Sequence, residues 1–368
     1  MICAEDEKTR VFQLLKRYGY QSQSYNMLRG CRSYFFSSRG IEGVIAYVVH
    51  ARVALAAGDP VCASEDLPAF ADEFRQFCKE HKWRCCFHTV TERCERVLTD
   101  LGFGTLKIGE EPILELSNLS WAGSKFKDLR RDIGRAKKHG MSVVEYHPLE
   151  ERRADWEEQM EELSQTWAKF KGSGESSLSF GAPILDDPGE RKPFLVLKDD
   201  RIEAFMVCTP IYTRKGMYFD IMRRKEKPLP GTAQFIITET LQLLKEQGYE
   251  MATLGTAPLS HEHVEDPDQA RIIELSLDFA FDHLGHFHRY KPLYQFKEQF
   301  GASWWEGRYL AFSPPRFNPV ILYAILKAYD PGGVNRQLKQ QLHMAWRGVK
   351  WVGHVPQEVV ERVLGHHG

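Results

Sequence analysis

Apolar residues recur at helical spacing from Glu5 to Arg17, where Val11, Leu14 and Leu15 share one face. Beyond that helix the pattern shortens to strand-like pieces over 33–37, 43–50 and 53–57, and Gly58-Asp59-Pro60 breaks the run. A second helix is predicted over 67–80. The aromatic and β-branched stretch 83–90 reads as a buried strand, and a short helix over 92–100 stops at Leu101-Gly102. Residues 106–116 return as a strand.

The second half goes through the same sequence of elements. Trp156, Met160, Leu163 and Trp167 mark an amphipathic helix over 155–170. Strands over 194–198 and 202–209 flank Asp199-Asp200, a pair suited to a tight turn, and predict a hairpin. A strand follows over 216–223, then the breaker Pro228-Leu-Pro-Gly231, a helix over 232–247 closed by Gly248, and a short strand from Met251 to Gly255. Helix, antiparallel hairpin, strand, turn, helix, strand is the element order of the GNAT acyltransferase fold. Its repetition predicts an α/β (α+β) protein of tandem duplicated GNAT-like folds, with a mixed sheet in each half. The expected division is 1–145 for the N-terminal fold, 146–315 for the C-terminal catalytic fold and 316–368 for a helical extension. One larger α+β domain is the alternative.

Composition narrows the function only a little. The 368 residues suit two domains, and 43% hydrophobic with 27% charged residues is ordinary for a globular chain. A formal net charge of −1 means that any contact with nucleic acid must come from a local patch. The eight cysteines form no Cys-x-x-Cys pair, and the acidic, amphipathic amino terminus does not resemble a signal peptide. Reduced thiols packed as small hydrophobes are therefore expected. The longest apolar run, Val320 to Leu326, is stopped by Lys327 and Asp330-Pro-Gly-Gly, well short of the ~20 residues that cross a bilayer. A cytoplasmic protein, or one peripheral on the inner face of the membrane, is the expectation.

The second half also carries a series of short motifs: Leu178-Ser-Phe-Gly181, Asp220-Ile-Met-Arg223, Gly255-Thr-Ala-Pro-Leu-Ser260, Tyr290-Lys-Pro-Leu-Tyr-Gln-Phe-Lys297-Glu-Gln-Phe300 and Trp305-Glu-Gly-Arg-Tyr-Leu310. Ile108-Gly-Glu-Glu111 precedes them in the first half. Each is weak alone. Together and in this order, from about Gly58 to Phe312, they resemble the catalytic domain of the multiple peptide resistance factor family, the aminoacyl-phosphatidylglycerol synthases. That domain is itself similar to two GNAT folds in tandem.

The resemblance implies transfer of an amino acid from aminoacyl-tRNA to a glycerol hydroxyl of phosphatidylglycerol or a related lipid. Such a reaction uses an ester that is already activated and needs no cofactor or metal. Asp220, Arg223 and Lys297 match the family's functional Asp, Arg and Lys. An unperturbed aspartate is a poor base near neutrality, which favours Asp220 as a holder of the α-ammonium. Arg223 is suited to gripping a phosphate through its fork, and Lys297 to stabilising the tetrahedral oxyanion. A structural ion pair between Asp220 and one of these cations is the competing explanation. Ser179, Gly181, Gly231, Ala257, Pro258, Ser260, Asp282, Tyr290 and Arg308 are the matching candidates for substrate binding. Departures at Leu178-Ser-Phe-Gly181, at Leu229-Pro-Gly231 and at Asp282-His-Leu284 put the identity of the substrate in question. Family members often carry a many-helix flippase ahead of this domain; its absence here predicts a stand-alone form.

Other patches have less specific readings. Lys125, Lys127, Arg130, Arg131, Arg135, Lys137 and Lys138 crowd one predicted helix, which suits tRNA phosphates or simply a solvated face. Lys127, Arg130, Arg131 and Arg135 are the tRNA-binding candidates. Trp304, Trp305, Arg308 and Tyr309 are expected to pack the last strand of the second fold. Residues 336–355 have the composition of an interfacial helix on anionic lipid, or of a helix packed back on the domain. The pairs His261-x-His263, His286-x-His288 and His366-His367 lack a partner at ligand spacing, so no metal is expected. An acyl-CoA-dependent N-acyltransferase is the main alternative function. Arg224 to Gly231, with one glycine and two prolines, offers few N–H groups for a pyrophosphate. A non-catalytic tRNA- or lipid-binding protein is the third possibility.

Overall fold

The computed structural model describes residues 4–29, 32–171, 185, 187, 189–258 and 290–329. Thirteen strands join one mixed sheet among these residues. The first half supplies β1 (Ser33–Phe35), β2 (Gly43–His50), β3 (Val53–Ala57), β4 (Val61–Cys62), β5 (Arg84–Thr91) and β6 (Gly104–Glu115). Then come β7 (Ser142–Glu145), β8 (Lys192–Lys198), β9 (Arg201–Ile211), β10 (Gly216–Arg224), β11 (Met251–Thr253), β12 (Ala257–Pro258) and β13 (Trp304–Ser313). Across the sheet the order is β1-β2-β3-β5-β13-β6-β11-β10-β9-β8-β7, with β4 on β2 and β12 on β6.

The duplication is visible in this topology. Only two pairings are parallel among the described strands, β3 with β5 and β10 with β11. A parallel neighbour needs a crossover, and here each crossover carries a helix, α2 (Leu67–Glu80) or α6 (Thr232–Glu246). Antiparallel pairs lead into both, β2–β3 on one side and β8–β9–β10 on the other. The fold is therefore mixed α/β with the GNAT-like order repeated.

A separate sheet in each half is not what forms. β13 pairs antiparallel with both β5 and β6, so the last of the described strands lies inside the first half. Trp304, Trp305, Arg308 and Tyr309 thus belong to a strand of the first half's sheet rather than to the edge of the second. β6 in turn pairs with β11, joining the halves through one hydrogen-bonded ladder. Conversely, β7, from the segment before residue 146, pairs with β8 at the second-half end. Alternation along a strand specifies which face is buried, but not which distant strand becomes its neighbour.

Both faces of the sheet are covered, which is why its strands read as nearly continuous apolar runs. In β9, Ala204, Met206 and Cys208 pack toward α6 with Phe235, Ile236 and Leu241, while Phe205 and Val207 pack toward Met160 and Leu163 of α5 (Ala154–Lys171). In the first half Phe70, Phe74 and Cys78 of α2 meet Phe35, Tyr47 and Phe87. The opposite face, with Leu55, Leu106, Leu310 and Phe312, is covered by Ile321, Ala324 and Ala328 of the helix Pro319–Tyr329. That helix is the described part of the expected extension. Helix α1 (Ala4–Tyr18) buries Val11, Leu14 and Leu15 against Val44, Ala46 and Val61.

Cys62, Cys78, Cys85, Cys86, Cys94 and Cys208 are free and buried, and burial pushes the Cys62 thiol up to about 12. Cys3 and Cys31 lie outside the described residues. No described helix is long and apolar enough to cross a membrane.

Because β13 is shared, Leu310→Ala should remove packing from the centre of the whole sheet. We expect a loss of about 2–5 kcal/mol, typical of a buried leucine, in a single unfolding transition. A denaturant melt followed by tryptophan fluorescence and by circular dichroism checks this; separate transitions for the two probes would show that the halves unfold independently.

Candidate active site

The parallel ladder between β10 and β11 ends at Tyr218 and Thr253. Past that point β10 continues beside β9 to Arg224, whereas the chain after β11 stays along β6, pairing with it again through Ala257 and Pro258, and no longer pairs with β10. The two strands part, leaving a mouth at their C-terminal ends, the usual place for ligands in open α/β sheets. The equivalent point in the first half is filled. There Gly58 N donates to His88 O at 2.9 Å, and Gln21 Nε2 donates to Thr89 O at 2.8 Å. Gln21 packs so closely that a Cβ on Gly58 would lie 2.2 Å from its Oε1.

Asp220 sits on β10 just beyond the parallel ladder, at a β-bulge where the register against β9 shifts between Phe219 and Ile221. A bulge re-aims a side chain and is common beside functional sites. The carboxylate is almost fully buried. It accepts from Arg29 Nη1 at 2.5 Å and from Asn26 Nδ2 at 3.4 Å, with Arg191 Nη2 at 3.7 Å. Burial raises its carboxyl above the ordinary range, and Arg29 and Arg191 oppose that shift. The 2.5 Å contact sets the Arg29 guanidinium directly against the carboxyl. An ion pair between Asp220 and Arg223 or Lys297, the structural alternative in the sequence, is not among its described contacts.

Arg223, three residues along the strand, lies with its guanidinium 5.4 Å from the Trp167 ring centroid and donates to Met222 O. Burial pulls it down to about 10, opposed by the charge of Asp220, so it stays protonated near neutrality.

Lys297 reaches the other lip of the mouth. The helix Tyr290–Glu298 carries it, and its Nζ donates to Gly255 O at 2.7 Å and Thr256 O at 2.9 Å. Gly255 has φ +77°, and an added Cβ would meet Tyr218 at 2.9 Å, so the lip depends on glycine. Burial lowers Lys297 from 10.5 to about 8, with Glu111 pulling the other way. Glu111 of β6 is fully buried and accepts from Thr253 Oγ1 and from Arg308 Nε, both at 2.8 Å.

Arg308, a substrate-binding candidate in the sequence, is fully buried on β13. All three of its guanidinium nitrogens meet protein: Glu111 through Nε, Gly307 O and Glu306 through Nη1, and Glu306 through Nη2. Gly231 begins α6 with φ +84°, and a Cβ there would lie 2.0 Å from the Asp132 carbonyl oxygen of α4 (Lys127–Lys138). The α4 backbone therefore lies directly against Gly231 at the start of α6. Ala257 and Pro258 form β12 against Glu110 and Gly109, and Tyr290 opens the helix that carries Lys297. Ser179, Gly181, Ser260 and Asp282 lie outside the described residues, as do the three histidine pairs and residues 336–355.

Lys127, Arg130, Arg131 and Arg135 all lie on the exposed side of α4. Arg130 donates to the carbonyls of Trp121 and Gly123, while Arg131 and Arg135 pair with Asp128 and Asp132 within the helix. Solvated intrahelical pairs of this kind are weak and exchange readily. Sequence reasoning did not single out Asn26, Arg29 or Arg191. Arg29 is 191 residues from Asp220 in the chain, and neither periodicity nor a motif marks it.

Residues 12–312 match the family model described as "Phosphatidylglycerol lysyltransferase, C-terminal". A phosphatidylglycerol lysyltransferase of Bacillus subtilis is 23% identical over 88% of this chain, which spans only 37% of that relative's length. Among solved structures, the C-terminal domain of a protein described as a lysylphosphatidylglycerol synthetase from Agrobacterium fabrum superposes with a TM-score of 0.74. It is 24% identical, and the match covers 90% of this chain and 98% of that one. L-PGS from Bacillus licheniformis gives a TM-score of 0.71 at 21% identity, covering 88% and 96%. At these identities the structures establish a shared fold.

The lowered Lys297 group should be measurable as a stability effect. Between its folded value near 8 and the unfolded value near 10.5, the unfolded chain binds the extra proton, so this group makes stability rise with pH. Relative to Lys297→Met, the wild type should gain stability across that window, by at most about 1.4 kcal/mol per pH unit. Paired denaturant melts check this, and parallel pH profiles for the two chains would contradict it.

Proposed function

The chain belongs to the phosphatidylglycerol lysyltransferase C-terminal family, and from that premise we propose that it moves an amino acid from aminoacyl-tRNA to a hydroxyl of phosphatidylglycerol or a related anionic lipid. The curated relatives are much longer, this chain spanning 41% and 37% of two of them. The activity proposed is therefore that of this region by itself. The observation that carries the proposal is Lys297, buried at the mouth between the parting strands and held by two backbone carbonyls.

In the reaction a lipid hydroxyl oxygen bonds to the ester carbonyl carbon and gives up its proton. The tetrahedral oxyanion then collapses, breaking the bond to the ribose oxygen, which takes up a proton. A cation fixed beside the carbonyl stabilises the intermediate without having to reorganise, and such preorganisation is where most of the acceleration arises. Lys297 supplies that cation. Its value near 8 also lets it exchange a proton at physiological pH. Arg223, steadied against Trp167, is assigned to a phosphate of donor or acceptor. The exposed cations of α4 are assigned to tRNA phosphates, contacts that salt weakens. A lipid acceptor also calls for peripheral contact with the inner face of the membrane.

To test the reaction, purified protein is incubated with charged tRNAs and phosphatidylglycerol vesicles, and lipid products are read by mass spectrometry. Aminoacylated lipid is expected, and Lys297→Ala should reduce kcat by about 100-fold or more with the fold intact. Labelled acetyl-CoA serves as the control donor, and transfer from it but from no charged tRNA would reject the proposal. Reversing two charges, Arg131→Glu with Arg135→Glu, should raise KM for the charged tRNA about tenfold and flatten its salt dependence. An unchanged KM would remove α4 from the tRNA path.

A further inference from the structure

A single segment, Gly19 to Arg29, meets both mouths of the duplicated fold. It comes from the first half, directly after α1, yet it is fastened to the second half along its length. Gly19 O accepts from Thr213 N at 3.2 Å and Thr213 Oγ1 at 3.0 Å, and just upstream Lys16 pairs with Glu190 at 2.9 Å. Tyr25 donates its hydroxyl hydrogen to Asp187. Near the start of the segment Gln21 plugs the first-half mouth. At its end, Asn26 within the 3-10 turn Ser24–Leu28 and Arg29 just after it hold the carboxylate of Asp220 in the second-half mouth.

We infer that Arg29, supported by Asn26, is a positioning residue: it keeps Asp220 ionised and in one orientation at the parting of β10 and β11, so the second-half centre is completed by a segment of the first half. Three observations support this. Arg29 and Asp220 are both nearly inaccessible, at 5% and 3%, and a buried carboxylate needs a buried cation to stay charged. Asp220 stands at a bulge, where the backbone ladder alone does not fix the side chain's direction. Asn26 is itself held by the same guanidinium, Arg29 Nη1 lying 3.4 Å from Asn26 Oδ1, so the three side chains form one unit. Arg29 acts on the reaction only through Asp220, and this role rests on the transfer activity proposed above.

The test uses the full chain as wild type, Arg29→Ala, Arg29→Lys, Asp220→Asn and the double variant Arg29→Ala/Asp220→Asn. Transfer from lysyl-tRNA to phosphatidylglycerol vesicles is measured at steady state. Arg29→Ala is expected to lower kcat by about 30-fold or more, with either KM changed less than about threefold. Arg29→Lys, which keeps the charge without the fork, should fall between Arg29→Ala and wild type. The double variant should be no slower than Asp220→Asn alone. Wild-type kcat in Arg29→Ala, a lysine variant no better than alanine, or losses that multiply in the double variant would each overturn the inference.

Melting temperatures from pH 5 to 8 provide a readout independent of lipid transfer. Burial already raises the Asp220 carboxyl against the opposing charges of Arg29 and Arg191; without Arg29 only Arg191 of that pair opposes it, so the folded value rises further above the unfolded one. Stability is then present at low pH and lost as pH increases. The Tm gap between Arg29→Ala and wild type should widen toward pH 8 and close in the Asp220→Asn background. A gap independent of pH and of Asp220 would refute the pairing. Absence of lipid product with the wild type would reject only the function proposed above.

Discussion

The ladder between β6 and β13 is the constraint on which the rest of the structure depends. Its antiparallel register runs from Gly104 opposite Phe312 to Ile113 opposite Trp304, and both strands have further neighbours on their outer sides. Remove it, and β5 and β6 lose their common partner while the two halves lose the sheet that joins them. Because these strands are central, every polar group on them must be satisfied by protein.

That requirement accounts for the buried charges near the middle of the molecule. Glu111 on β6 faces Arg308 on β13, Arg308 reaches Glu306, and Glu306 is gripped by Arg214 from the second half at 2.7 and 3.1 Å. Buried chains of this kind contribute little net stability, and removing any one member leaves its neighbour uncompensated. Glu111 also accepts from Thr253 on β11, the strand that leads into the lip held by Lys297. The central ladder and the mouth are thus joined by contiguous polar contacts.

Much of this was legible in the sequence because it is local. The helices at 67–80 and 92–100 and the strands at 43–50 and 53–57 have the predicted limits, since apolar spacing and turn residues set them. The repeated order of elements was equally readable. What escaped were pairings between distant segments: β13 between β5 and β6, β7 beside β8, and the two-residue strand Val61–Cys62. The candidate site divides in the same way. Asp220, Arg223 and Lys297 stood out through ordered motifs and are found on the parting strands and the helix beside them. Arg29 and Asn26 enter only because the fold brings residues 26–29 to Asp220, and nothing in their local sequence distinguishes a buried arginine from a solvated one. Arg308 was equally legible as a motif position, but the partners of its guanidinium, Glu111 and Glu306, were not.

The position of β13 also has a consequence for biosynthesis. A ribosome makes β5 and β6 some two hundred residues before the strand that must lie between them, so during translation the first half presents two unpaired edges next to each other. Open edges of this kind invite strand exchange and association with other chains. The nascent first half therefore stays incomplete until nearly the whole described chain has emerged. Its sheet closes late, from the carboxyl-terminal side, and a chain halted before Trp304 leaves β5 and β6 without the strand that lies between them.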